Sequence, residues 1–226
     1  DSVLDTLRAN RTRNIVFVGN NVQARALAAE LPGKNVLFAF ALSAGHREAD
    51  RVVSIDLKKI TIGQLPGAAS NKQLIGRIFH GTKYKVVYEP NMEDYLLCHA
   101  AFVMPAAFAC YKTDGDLKKL RGDTAYLNRL LDANIEGYRA IRNAGHAILP
   151  KEDAGFEGEK YRKTCLRFFK LMCATSLGKL CASDHAMNAI DEMSALNRDL
   201  KKFFDENGAA YPVWQALEAE AGRYLQ

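Results

Sequence analysis

The sequence is 226 residues long, 48% hydrophobic and 25% charged. That composition supports a buried core without disulfide or metal staples, and it excludes disordered and fibrous classes. The net charge is +5, no Lys/Arg run interleaves with aromatic residues, and no apolar run reaches the ~18 residues of a membrane span, so neither nucleic acid nor a membrane is expected as a partner.

In chain order, Ser2 to Ala9 reads as an amphipathic helix with Val3, Leu4 and Leu7 on one face. Asn14 to Val18 is a short β-branched and aromatic strand, broken by Gly19-Asn20-Asn21; Val22 to Leu31 is a helix ended by Pro32-Gly33. Asn35 to Leu42 is apolar without alternation, as in strands covered on both faces of an α/β sheet. Val52 to Leu57 and Ile60 to Leu65 read as two strands joined by a tight turn at Lys58-Lys59. A helix at Asn71 to Phe79 and a strand at Tyr84 to Tyr88 follow.

From Pro90 the strand signal stops. Asn91 is the expected N-cap of a long apolar helix running to about Tyr111, with Glu93 and Asp94 in its first turn and Pro105 inside, where a bend is expected. Further helices are expected at about Asp123 to Ala144, Glu159 to Thr175, His185 to Glu206 and Pro212 to Tyr224, with Gly145 and Gly208 as C′ residues. The expected organisation is an α/β unit over residues 1–89 and an all-α unit over 90–226. The first carries 13 Lys+Arg against 7 Asp+Glu and the second 18 against 19. A basic first part suits a phosphate-bearing ligand as well as it suits a solvated surface.

The opening Asp1-Ser2-Val3-Leu4-Asp5 is acidic and amphipathic rather than leader-like, and a cytoplasmic protein is expected. The five cysteines form no CxxC pair and sit mostly among apolar residues, so they read as small hydrophobes and no metal site is expected. A nucleotide-binding domain opens on a strand, a glycine-rich turn and a helix. This sequence opens on a helix and contains no G-x-G-x-x-G, so the first unit reads as a Rossmann-type domain without its first half.

The order of these segments resembles the ketopantoate reductase (2-dehydropantoate 2-reductase) family over nearly the whole chain. The segments are N-I-V-F-V-G-N-N at Asn14 to Asn21, Ala41 to Gly45, T-I-G-Q ending at Gln64, N-M-E-D-Y-L-L-C-H-A-A-F-V-M-P at Asn91 to Pro105, and D-H-A-M-N-A-I-D-E-M-S-A-L at Asp184 to Leu196. The resemblance implies a Rossmann-type remnant followed by a helical C-terminal domain like that of 6-phosphogluconate dehydrogenase. It also implies an oxidoreductase that reduces a small-molecule 2-keto acid with NADP as cofactor, with a homodimer as the assembly considered.

Carried over residue by residue, Asn20 stands between cofactor and substrate, Glu192 grips the substrate hydroxyl, and Ser183 is a candidate substrate contact. The family's proton-donating lysine falls at Leu96 and its two downstream asparagines at Ala100 and Met104, so three polar positions are apolar here. His99, three residues on from Leu96 and expected on the same helix face, is the substitute proton donor. Two readings of another class stand beside the reductase: a catalytically inactive relative kept for binding a ligand or partner, and an inert fragment of the enzyme.

Overall fold

The computed structural model describes residues 3–225, so Ser2, the first residue of the expected first helix, lies outside the described residues. Helix α1 (Leu4–Ala9), strand β1 (Asn14–Val18), helix α2 (Ala24–Ala29), strands β2 (Asn35–Arg47) and β3 (Val52–Gly63), helix α3 (Lys72–Ile78) and strand β4 (Lys85–Glu89) come first. The sheet order is β1-β2-β3-β4, with β1–β2 and β3–β4 parallel and β2–β3 antiparallel. The unbroken apolar character of β2 has the cause expected of it. Leu37 and Ala39 pack with Ile60, Ile62 and Ile75 on one face of the sheet. Phe38 packs with Ala24, Met92 and Leu96 on the other.

The expected turn at Lys58-Lys59 is not a turn. The chain continues as one strand to Gly63, and β2 continues to Arg47, so the hairpin reverses at residues 48–51, where the Glu48 amide donates to the Arg51 carbonyl at 2.8 Å. Lys58 carries a φ of 52° and its amide donates to Asp56 Oδ1 at 2.8 Å. The register shifts between Ala41 and Ser43 opposite it. The turn-like residues therefore make a bulge that kinks the hairpin, a usual place for a left-handed residue in a sheet.

After β4 every regular element is helical. The longest is α4 (Met92–Lys112), followed by α5 (Thr124–Asn143), α6 (Glu159–Ala174), a short α7 (Ser176–Gly178) running into a π-helical turn at Lys179–Ser183, α8 (Asp184–Asn188), α9 (Ile190–Glu206) and α10 (Pro212–Ala221). The expected single helix from His185 to Glu206 is broken at Ala189, whose backbone leaves the helical region at φ −125°, ψ 40°. Helix α4 starts as expected, Asn91 accepting from the Asp94 amide at 3.2 Å, and runs through Pro105 as one helix. By length and composition α4 could cross a membrane, but 72% of its most apolar window is buried by its neighbours. It is the axis of the helical core: Phe108 meets Trp214 of α10 edge-on at 5.5 Å. Trp214 in turn donates its indole N–H to Asn197 of α9 at 2.9 Å.

Candidate functional site

A cavity of about 490 Å³ opens between the carboxyl ends of β1 and β2 and the helices α4, α6, α8 and α9. That volume suits a small molecule. Its floor is made by the turn after β1. Gly19 adopts a φ of 134° and donates its amide to the Ala39 carbonyl, which bends the chain off the sheet. Asn21 then closes an Asx turn by accepting from the Gln23 amide at 2.8 Å. The turn is thus held by Asn21, and the Asn20 side chain is left to enter the cavity.

There Asn20 Nδ2 donates to Glu192 Oε1 at 3.0 Å, joining residues 172 apart in sequence. Because Glu192 is a carboxylate, this bond fixes which end of the amide faces it and leaves Asn20 Oδ1 pointing away. That oxygen is buried without a hydrogen-bond partner among the described residues. Glu192 keeps contact with solvent, and His185 Nε2 lies 3.8 Å from its Oε1. His99 of α4 and Ser43 of β2 add further polar groups to the lining. The His99 ring packs against Phe40 at 3.8 Å between centroids and stacks on Tyr95 at 6.2 Å. Its Nε2 has no partner either. Burial first, and His185 second, lower its pKa from 6.5 to about 4, so the imidazole is neutral at physiological pH.

The structure therefore brings Asn20, Glu192 and His99 to one cavity. Ser183 is not among the lining residues. It is buried in the π-helical turn with its hydroxyl 3.7 Å from Cys110 Sγ, inside the helical core. The expectation that Leu96 and His99 share a face toward the site is also corrected. The cavity-facing stripe of α4 is His99, Phe102, Val103 and Ala106. Leu96 turns to Phe38 under the sheet, while Ala100 and Met104 are buried in the helical core. The three apolar residues at the family's polar positions are packing residues.

Residues that the sequence reading did not single out are His185, Phe40, Cys181 and the ion pair behind them. His46 on the β2–β3 hairpin sits 3.0 Å from Asp184 through Nδ1, a contact close enough for an ion pair but poorly aligned for a hydrogen bond. Lys179 reaches the other oxygen of Asp184 at 3.4 Å. The only available signal was D-H at residues 184–185, since nothing in the spacing joins residue 46 to residue 184.

No protein-family model matches this sequence, and no curated protein matches it. Its fold does match solved structures. A ketopantoate reductase of Ralstonia eutropha is 13% identical, covers 99% of this chain and 71% of its own, and superposes with a TM-score of 0.71. A 2-dehydropantoate 2-reductase of Geobacter metallireducens is 14% identical, covers 92% and 67%, and superposes at 0.69. A dimeric ketopantoate reductase of Staphylococcus aureus is 11% identical, covers 95% and 78%, and superposes at 0.65. The fold is thus a Rossmann-type remnant followed by an all-helical part, arranged as in ketopantoate reductases.

Proposed function

We propose that this chain carries the substrate side of an oxidoreductase site: a small hydroxy or carbonyl compound lies in the cavity with its oxygen at Asn20, Glu192 and His99. The observation that supports this reading is the Asn20–Glu192 hydrogen bond at the carboxyl end of β1. In open α/β sheets ligands are bound in the crevice outside the carboxyl ends of the strands. Residues 1–89 and 90–226 would act as two units that meet at this crevice.

The residues of this chain do not fit the diphosphate of NADP. The turn after β1 has a single glycine, and the α2 that follows is only six residues long, so among the described residues no glycine-rich turn opening a long helix is present to cradle a diphosphate. The reading is therefore confined to what the chain's own residues do. Asn20 and Glu192 hold and orient the ligand oxygen. His99 touches it as a neutral imidazole, because an imidazolium with a pKa of about 4 would be scarce at neutral pH. The walls of Phe40, Phe102 and Val103 exclude water.

The test is a screen of short hydroxy and carbonyl compounds followed through the Asn20 side-chain amide signals by NMR. Binding should shift those signals, and Asn20→Ala or Glu192→Ala should each weaken it by roughly fivefold to a hundredfold, the loss of one charge-assisted hydrogen bond. Hits indifferent to both substitutions would remove the site.

A second reading, a binding protein that performs no hydride transfer, is favoured by two observations: among the described residues no lysine lines the cavity, and its imidazole at position 99 is held neutral. Consumption of NADPH in the presence of a bound hydroxy or carbonyl compound would exclude it.

A further inference from the structure

We propose that the ligand of this cavity is an apolar alcohol without a carboxylate, in place of the 2-keto acid that the family resemblance implies. The proposal rests on the reading above that Asn20 and Glu192 hold the ligand oxygen.

The first observation is electrostatic. Among the described residues no lysine or arginine lines the cavity, and its one carboxylate is Glu192. Lys179, two residues from the lining residue Cys181, pairs with Asp184 and is not part of the lining. Of the two lining histidines, His99 is held neutral, and His185 Nε2 already lies 3.8 Å from Glu192. A carboxylate entering the site would lose its water, find no cation and face a like charge. Desolvating an unpaired carboxylate and placing it near another are both unfavourable.

The second observation concerns hydrogen-bond polarity. Asn20 spends its N–H on Glu192 and presents its buried, partnerless Oδ1. Glu192 can only accept. Two acceptors side by side call for a ligand that donates. A hydroxyl hydrogen meets that need, and the hydroxyl oxygen can accept from His99 if Nε2 carries the ring proton. A keto oxygen would leave the buried Asn20 Oδ1 unsatisfied.

The third observation is the rest of the lining. Leu42, Ile55, Leu57, Phe102, Val103 and Met172 surround the polar end with apolar surface, and Leu42 and Leu57 are open to solvent. A short polar acid would leave that surface wet, whereas an alkyl or ring-bearing alcohol would cover it.

The experiment compares 2-octanol with 2-hydroxyoctanoate, the same chain and hydroxyl with the terminal methyl exchanged for a carboxylate, by titration calorimetry at pH 7.5. The alcohol should bind at least about tenfold more tightly. Glu192→Gln removes the like charge and should narrow that gap to about threefold or less. Val103→Trp, which fills the cavity, should abolish binding of both, and its circular dichroism checks that it folds.

Equal or tighter binding of the acid overturns the proposal and leaves the site reading intact. A gap unchanged in Glu192→Gln overturns the electrostatic argument and the proposal with it. Binding of neither compound, or binding that survives Val103→Trp, overturns the site reading itself.

Discussion

At the scale of the residue, His99 is the group whose environment differs most from water. Burial between Phe40 and Tyr95 lowers its pKa from 6.5 to about 4. Above pH 6.5 the ring is neutral in folded and unfolded chains alike, and stability is at its full value. Between pH 6.5 and about 4 the unfolded chain takes up a proton that the fold refuses, so stability falls as pH falls. The loss attached to this one ring is on the order of 3 kcal/mol. Urea midpoints at pH 7.5, 5.5 and 4.5 should drop less steeply in His99→Gln than in the parent; parallel slopes would mean that the ring is not held neutral. The sequence singled out His99, Asn20 and Glu192, and all three line one cavity. The pairing of Asn20 with Glu192 was not legible there, since it depends on how the turn after β1 meets α9.

Elements were legible where punctuation is chemical. Gly145 and Gly208 stand at positive φ after α5 and α9, and the amides of the following residues, His146 and Ala209, reach back to the Ile141 and Phe204 carbonyls, as sequence alone suggested. The kink at Lys58 was read as a turn because an apolar stretch restarts after two lysines, and periodicity cannot separate a bulge from a reversal. The break at Ala189 has no glycine or proline to announce it.

Gly178 is among the glycines required by close approach. A Cβ on Gly178 would lie 1.9 Å from the Met172 carbonyl oxygen, and the nearest atoms are all Met172 backbone, with no flexible side chain to yield. Gly178→Ala should cost about 1–3 kcal/mol. It should also displace the turn that carries Cys181 into the cavity, seen as a lower Tm and faster alkylation of Cys181. An unchanged Tm would mean that α6 and α7 shift freely.

At the scale of the whole molecule, two bodies of packing meet at the crevice: a sheet covered by α3 on one side and by α2 and the start of α4 on the other, and a helical core around the rest of α4. The first supplies no anion cradle, so this chain should show no saturable NADPH binding at micromolar concentrations in calorimetry. Saturation there would require a phosphate site built from other residues. Composition and periodicity made both bodies readable, because each is a matter of which residues are apolar and how often they recur. The contact between them was not readable where it rests on polar pairs, Asn20–Glu192 and His46–Asp184, in addition to the apolar packing of Phe38 against Met92 and Leu96.

Those pairs have a temporal consequence. The β2–β3 hairpin and the α4–α5 pair are closed by neighbours in the chain and form early. Asn20–Glu192 and His46–Asp184 close loops of 172 and 138 residues. Bringing such distant ends together costs chain entropy that is repaid only once both bodies exist. The cavity is therefore expected to form late on folding and to open early on mild perturbation, which hydrogen exchange of the amides around Asn20 and Glu192 would check.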